Sequence, residues 1–462
     1  MTTRLPTPPP SPSIPQLVLC ADGGGSKVCV VIRSNDGVEV KGIAGPCNIQ
    51  SVGYEAASQS LLLATYRALS QLSTIYLPTD LYIPSSALTS TDLTKGESSK
   101  LPNLNIPIFQ YAWLGLAGVN CESDAKGFMS HATGALCLTQ DRIKLSNDVN
   151  LLAAPALDIP GIDHVVAVVA GTGTIGRTIR VSPKISDQPP SKKAGLPLED
   201  VAIARGWGYL LCDEGSAFWL GRLAIRSVLA VADRHASSSI YSTPTLPLLP
   251  LHQDILEYFG TADPADLINL ASLSHDSLAG LDIGQATAKR NAMIAGAARV
   301  VLKWAFPEDA PLGRVSGLPT PPGSEDGSEA SDIDMESESE CEAGSILELS
   351  TPDLDLERTP RIPSEEEEME MKSQMEAMKI VSKSIQPLIE LTLECLGDSS
   401  EVKLERTVLV LGGGLMSSRG YRKMLLDGLA RSEEKVRFKR VMGVDDPAVQ
   451  GARAVGRMEF GH

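Results

Sequence analysis

Ala21-Asp22-Gly23-Gly24-Gly25-Ser26-Lys27 lies between two apolar runs, and those flanks decide how it reads. Gln16-Leu17-Val18-Leu19-Cys20 enters it as a strand, and Val28-Cys29-Val30-Val31-Ile32 leaves it as a second. Glycines let the backbone fold tightly and turn several N–H groups toward one point. Three of them beside an acid, inside a hairpin, suit a phosphate with its metal ion; an ordinary hairpin turn is the alternative. A dinucleotide loop or a P-loop would open into a helix instead.

The arrangement recurs. His164-Val165-Val166-Ala167-Val168-Val169-Ala170 is a buried-strand run, Gly171-Thr172-Gly173-Thr174-Ile175-Gly176 follows it, and Arg177-Thr178-Ile179-Arg180-Val181 alternates polar and apolar like a returning strand. The hexapeptide spells G-x-G-x-x-G, yet β-branched alternation after it argues against the helix that a Rossmann loop requires. No acid stands at the expected distance in a second strand either.

The 462 residues, 43% of them hydrophobic, suffice for two sizeable cores. The net charge is −16, and residues 316–372 alone hold 18 acids and 3 bases. The rest is close to neutral, which leaves no electrostatic case for nucleic acid. Eight cysteines, at 20, 29, 47, 121, 137, 212, 341 and 395, include no C-x-x-C pair. Their spacing signals neither zinc nor an iron–sulfur cluster, and their scatter fits a reducing compartment. Residues 1–15 are rich in Pro and Thr without an apolar core segment, and no apolar run is long enough to cross a bilayer. The expectation is a cytoplasmic protein with no membrane partner; a homodimer is left open.

Along the chain, residues 1–15 read as disordered. Strands around 16–44 are followed by an amphipathic helix over about 54–72 and a Ser/Thr/Pro-rich insertion at 84–105. A strand covers Phe109–Leu116, a short strand covers Ile143–Ser146, and a helix follows at 149–157. The hairpin at 164–181 opens a second unit of the same kind, a weak internal repeat with both glycine loops lining the cleft between two domains. Further helices are expected from about 217 to 233, 281 to 306 and 375 to 396, with irregular chain at 235–265. Thr407–Leu411 reads as a buried strand closed by Gly412-Gly413-Gly414. The Ser-Glu-Asp tract at 316–372 cannot bury enough apolar surface to fold and is read as a disordered acidic insertion.

Phosphoryl transfer needs cradled phosphates, a held metal and an acceptor hydroxyl in line with a base. The turns at 23–26 and 171–174 can supply backbone N–H groups. Asp22 at a strand end can orient a hydrated magnesium ion. Asp148, after the polar strand end Ser146-Asn147, can take the proton of a sugar hydroxyl, or else cap the following helix. Asp213 and Glu214 precede a helix, where they either cap it or grip sugar hydroxyls. Gly412, Gly413 and Gly414 allow close approach of an adenine. Trp207, between Gly206 and Gly208, reads first as a packed core residue and secondly as a stacking surface.

Together these motifs resemble the acetate and sugar kinase, heat-shock chaperone and actin superfamily. More closely they resemble N-acetylglucosamine kinases grouped with the BadF/BadG/BcrA/BcrD ATPases. The matching pieces are Asp22–Lys27, Gly45–Asn48, Gly115–Gly118, Ser146–Asp148, Ala170–Thr174, Gly206–Ser216, Gly412–Gly414 and Asp446–Ala452, in the family's order. The resemblance implies an α/β fold of two RNase H-like (actin-like ATPase) domains, at 16–157 and 158–446, with a nucleotide and sugar cleft between them. A C-terminal helix at 447–462 would return to the first domain. It implies ATP and Mg2+ as cofactors and phosphorylation of an amino sugar, N-acetylglucosamine to its 6-phosphate or else glucosamine. Asp148 would be the catalytic base; Asn48, Thr174, Gly206, Trp207, Gly208 and Asp213 would line the sugar. Ser26 and Thr172 would touch phosphates, with Gly23, Gly24, Gly25, Gly171 and Gly173 around them, and Gly413 would lie near the adenosine.

Three departures bear on the sugar. Cys212 stands where the family has glycine, Ser26 replaces the commoner threonine, and Ile175 offers no polar side chain. A BadF-type ATPase would need paired cluster cysteines, and Cys121 and Cys137 lack that spacing. A sugar-binding regulator without turnover is the third class, opposed by the retained Asp22 and Asp148.

Overall fold

The computed structural model describes residues 15–89, 100–181, 196–240, 242, 247–272, 278–281, 283–309, 364–398 and 400–461. The sequence expectations for 1–14 and most of the acidic tract, residues 310–363, lie outside the described residues. No helix among them is long and apolar enough to cross a membrane.

Among the described residues, ten strands form two five-stranded sheets. The first contains β1 (Leu17–Gly23), β2 (Val28–Ser34), β3 (Glu39–Ala44), β4 (Phe109–Leu116) and β5 (Ile143–Ser146) in the order β3-β2-β1-β4-β5. The second contains β6 (His164–Ala170), β7 (Thr174–Val181), β8 (Leu198–Arg205), β9 (Thr407–Gly412) and β10 (Arg440–Gly443) in the order β10-β9-β6-β7-β8. Read from the antiparallel edge, both sheets are third, second, first, fourth, fifth. In each, a hairpin strand and its neighbour run antiparallel and the last two strands run parallel to the first. The internal repeat is therefore real, and this doubled topology is the RNase H-like α/β fold. Both glycine turns join antiparallel strands, as β-branched flanks require, and neither opens into a helix.

Alternation along the strands builds two cores. Leu17, Leu19 and Ala21 of β1 face one side, packing with the helices Gly53–Leu69 and Glu122–Leu136. Val18 and Cys20 face the other side with Trp113. That second core also takes Val165 and Ala167 of β6, Val408 and Val410 of β9, the segment 148–158 and the helix Pro447–Phe460. The 148–158 segment thus lies in one core with strands of both sheets. The helix expected at 149–157 is present as a 3-10 helix, and its interior Pro155 cannot donate a backbone hydrogen bond.

Both sheets belong to one compact unit, residues 15–219 with 383–461 among those described; a second unit covers 220–309 and 364–382. The second is helical. Gly221 there packs so closely that a Cβ would fall 1.9 Å from the carbonyl oxygen of Ile294. Its helix Pro250–Phe259 corrects the irregular reading of 235–265: Leu251, Ile255, Leu256 and Phe259 are buried at helical spacing.

The acidic tract also ends earlier than its composition suggested. A helix starts at Glu365, ten residues before Met375. Ser364 and Glu367 form a reciprocal capping box, with Glu367 N–H donating to Ser364 Oγ at 3.2 Å and Ser364 N–H to Glu367 Oε2 at 2.8 Å. The run Glu365–Glu368 occupies the first turn, where the helix dipole favours carboxylates.

Candidate active site

Parallel strands present their carboxyl ends on one edge of a sheet, where ligands of open α/β sheets gather. In the first sheet those ends are stitched together. Gly24 N–H donates to the Lys27 carbonyl at 2.9 Å, closing the turn. Cys47 N–H donates to the Gly24 carbonyl at 3.0 Å, Ala117 N–H to Gly23 at 2.7 Å, and Ile49 N–H to Ala117 at 3.1 Å. The β1 turn, the 45–48 loop and the 115–118 loop thereby form one surface. Gly25, Ser26 and Lys27 are exposed on it. Asn48 accepts from the N–H groups of Gln50 and Ser51 through Oδ1, at 3.0 and 3.3 Å, so a ligand contact falls to its Nδ2.

Asp22, at the end of β1, shares this edge with Asp148. Burial, then the charges of Asp148 and Asp446, push its carboxyl up to about 7; Lys27 and Lys41 act in the opposite direction. Burial also raises Asp148, against the N–H groups of Val149 and Asp148 itself and the Arg177 guanidinium, which lower it. The helix-capping role weighed for Asp148 belongs to Asn147, whose Oδ1 accepts from Val149 N–H at 3.2 Å. Asp446, not anticipated at this edge, caps the last helix by accepting from Val449 N–H at 3.2 Å and pairs with Lys41.

The second sheet builds a different arrangement. The 171–174 turn closes through Gly171 N–H to the Gly173 carbonyl at 3.0 Å, and Gly171 in turn accepts from Ala217 N–H at 2.8 Å. Asp213 Oδ1 accepts from Gly208 N–H at 3.2 Å and, at 3.5 Å, faces Thr174 N–H. A Cβ on Gly206 would come within 2.4 Å of that carboxylate and one on Gly173 within 2.7 Å, so only glycine at both positions admits it. The cap of the helix Ala217–Ala236 is Ser216, accepting from Trp219 N–H at 3.1 Å, which leaves the Asp213 carboxylate to the turn. Thr174 Oγ1 is buried with no hydrogen-bond partner among the described residues. Burial raises the pKa of Asp213 as well.

Trp207 corrects its core reading: it is 68% exposed, at φ +68°, in a loop where Cys212 and Asp213 are also left-handed at +86° and +48°. Cys212 thus occupies backbone that favours glycine. Gly413, at φ +88°, seats the third glycine run directly on the second: a Cβ there would lie 2.5–2.7 Å from the Ala170–Gly171 peptide. Gly412 abuts Leu152 of the 148–158 segment.

The structure therefore makes two local groups. One joins Asp22, Asp148 and Asp446; the other joins Gly171, Gly173, Thr174, Gly206, Gly208 and Asp213, with Gly413 behind. Arg177, further along β7, acts electrostatically on Asp148 of the first group. Sequence reading missed Arg177 and its partner Asp200, 2.6 Å away. Neither announces itself locally: Arg177 shares its strand with Arg180, and Asp200 follows Glu199.

No family model and no curated protein matches the sequence. Among solved structures, the chain is similar to a "Putative N-acetylglucosamine Kinase" from Chromobacterium violaceum, at 17% identity over 95% of this chain and 99% of that one, TM-score 0.48. A protein of the same description from Porphyromonas gingivalis shares 14% identity over 96% and 99%, TM-score 0.49. Hexokinase from Schistosoma mansoni complexed with glucose shares 13% over 96% and 85%, TM-score 0.40. The fold assignment rests on strand order, and the chemistry on the residues above.

Proposed function

We propose that the protein transfers the terminal phosphoryl group of ATP to a hydroxyl of an amino sugar, with N-acetylglucosamine giving its 6-phosphate. The observation that carries this reading is the pair Asp22 and Asp148 at one sheet edge, beside a glycine turn held between antiparallel strands. A second such turn stands at the matching place in the repeated sheet.

Asp148 accepts the proton of the acceptor hydroxyl as that oxygen bonds to the γ-phosphorus and the bond to the leaving diphosphate breaks. The turns at 23–26 and 171–174 offer backbone N–H groups, with Ser26 and Thr172, to the phosphates. Gly413, by its close approach to Ala170–Gly171, leaves room beside the nucleoside. Thr174, whose hydroxyl has no hydrogen-bond partner among the described residues, and Asp213 hold sugar hydroxyls, with Asn48 and the exposed Trp207 as further sugar contacts in this reading.

The residues fit a magnesium ion. Its preferred partners are hard oxygens, and a carboxylate raised by burial and then by two neighbouring acids gains from a cation. Among the described residues no group of three or more His, Cys, Asp or Glu is spaced to hold a metal. The ion would accordingly be held by phosphates and by Asp22 through water. Bound there, it would neutralise charge on the phosphates.

The test is a coupled ADP-release assay with Mg-ATP across N-acetylglucosamine, glucosamine, N-acetylmannosamine and glucose. The reading expects sugar-dependent ADP release, greatest with N-acetylglucosamine. No release with any of the four contradicts it.

A further inference from the structure

Strand β8 carries a register shift against β7. Thr178 pairs with Ala202, but Ile179 pairs with Asp200, leaving Val201 as an extra residue. Paired residues share a face, and residues two apart on a strand share it too. In unbroken register Val201 would stand opposite Ile179, and Asp200 would fall opposite Arg180 on the other face. The bulge instead turns Asp200 to the face of Arg177. Bulges of this sort re-aim side chains beside functional sites.

Asp200 uses both carboxylate oxygens there. Oδ2 accepts from Arg177 Nη1 at 2.6 Å, and Oδ1 accepts from Asn150 Nδ2 at 2.6 Å. Arg177 and Asn150 are 3% and 4% exposed. Asn150 lies two residues beyond Asp148. On the other flank, Asn147 Nδ2 donates to the Val119 carbonyl at 3.2 Å, at the exit of β4. Asp148 is thus bracketed: Asn147 ties the chain to the first sheet and Asn150 ties it, through Asp200, to the second.

We propose that Asp200 is a positioning residue for Asp148, its carboxylate clasping Asn150 and Arg177 so that the start of the 148–158 segment is fixed against the bulged edge of the second sheet. The proposal rests on the kinase reading for its catalytic consequence, not for the clasp. A cavity of about 770 Å³, lined in part by Asn147, Asn150, Arg177 and Asp200, lies beside the clasp. With Asp200 removed, Asn150 borders a cavity into which its side chain can move. Misplacing a catalytic group by about 1 Å costs on the order of 10²-fold in rate, and a group that only positions the base affects turnover more than binding.

The experiment uses the full chain with Mg-ATP and N-acetylglucosamine. Asn150→Ala removes one arm of the clasp. Asp200→Asn with Arg177→Met removes the other without leaving an unpaired buried charge. Both are expected to lower kcat by roughly 30- to 100-fold while the sugar KM stays within about threefold. Asp200→Glu, which keeps the carboxylate, is expected to recover much of the loss. Amide hydrogen exchange over Val149–Leu152, read without substrate, is expected to quicken about tenfold in the first two variants. Folded variants with unchanged kcat and unchanged exchange overturn the proposal, as does a kcat loss that Asp200→Glu leaves in full. If the unaltered protein phosphorylates no sugar, the kinase reading fails, and exchange alone still decides the clasp.

Discussion

Replacing Gly413 by alanine puts one methyl group where the structure has no room for it. The Cβ would stand 2.5 Å from the Ala170 carbonyl carbon, 2.6 Å from its oxygen and 2.7 Å from Gly171 nitrogen, all backbone atoms at the end of β6. No side chain is available to swing aside. The φ of +88° adds about 1–2 kcal/mol for any residue with a Cβ, and forced overpacking typically adds about 1–3 kcal/mol. A loss of about 2–5 kcal/mol in the unfolding free energy is expected, measured by urea titration followed through tryptophan fluorescence. Trp113 is fully buried beside β1 and reports loss of the packed sheet. The relaxation open to the variant is separation of the 412–414 run from the 170–174 turn, so nucleotide affinity should fall at least about tenfold. Gly171→Ala is the internal control. Its Cβ would meet only the Gly413 Cα, at 3.9 Å, and its stability should stay within about 1 kcal/mol. If Gly413→Ala is as stable as the parent and binds nucleotide within threefold, the reasoning from close approach is refuted.

Cys212→Gly should stabilise the protein by up to about 1 kcal/mol, because the +86° backbone there strains a Cβ; an equal or lower unfolding midpoint would count against strain at that residue. Asp22→Asn should change how stability depends on pH. The folded carboxyl titrates near 7, above its unfolded value, so its proton-bound form stabilises the fold at low pH and that contribution disappears as pH rises through 7. The variant should therefore gain on the parent between pH 5 and pH 8 in matched thermal scans without magnesium, and parallel curves would show that Asp22 is not the group held up.

Much of the fold was legible because alternation and glycine punctuation are local signals. The hairpins β1–β2 and β6–β7, and β4 and β9, all follow from apolar runs bounded by glycine or polar residues. What was missed had its cause elsewhere in the chain. β8 reads Leu-Glu-Asp-Val-Ala-Ile-Ala-Arg, with two acids where a strand prefers apolar or β-branched residues, and it is a strand because β7 supplies its ladder. Short β10 has no pattern of its own and depends on β9. Trp207 was misjudged because it sits in a loop at left-handed φ with its ring exposed, which composition does not reveal.

At the site, Asp22 announces itself near the end of β1 and Asp148 two residues past the polar end of β5. Asp446 does not, since its place beside Asp22 depends on how the last helix packs against β1. Arg177 and Asp200 were hidden for a related reason: a one-residue bulge decides which face Asp200 takes, and no local composition encodes it.

The central claim is that Asp148 acts as the base in phosphoryl transfer. It is tested most directly by comparing Asp148→Asn with the parent in Mg-ATP-dependent formation of N-acetylglucosamine 6-phosphate, while nucleotide binding is followed separately. Turnover lower by roughly 10²-fold or more with nucleotide affinity retained is the predicted result. Turnover within a few-fold of the parent would contradict it.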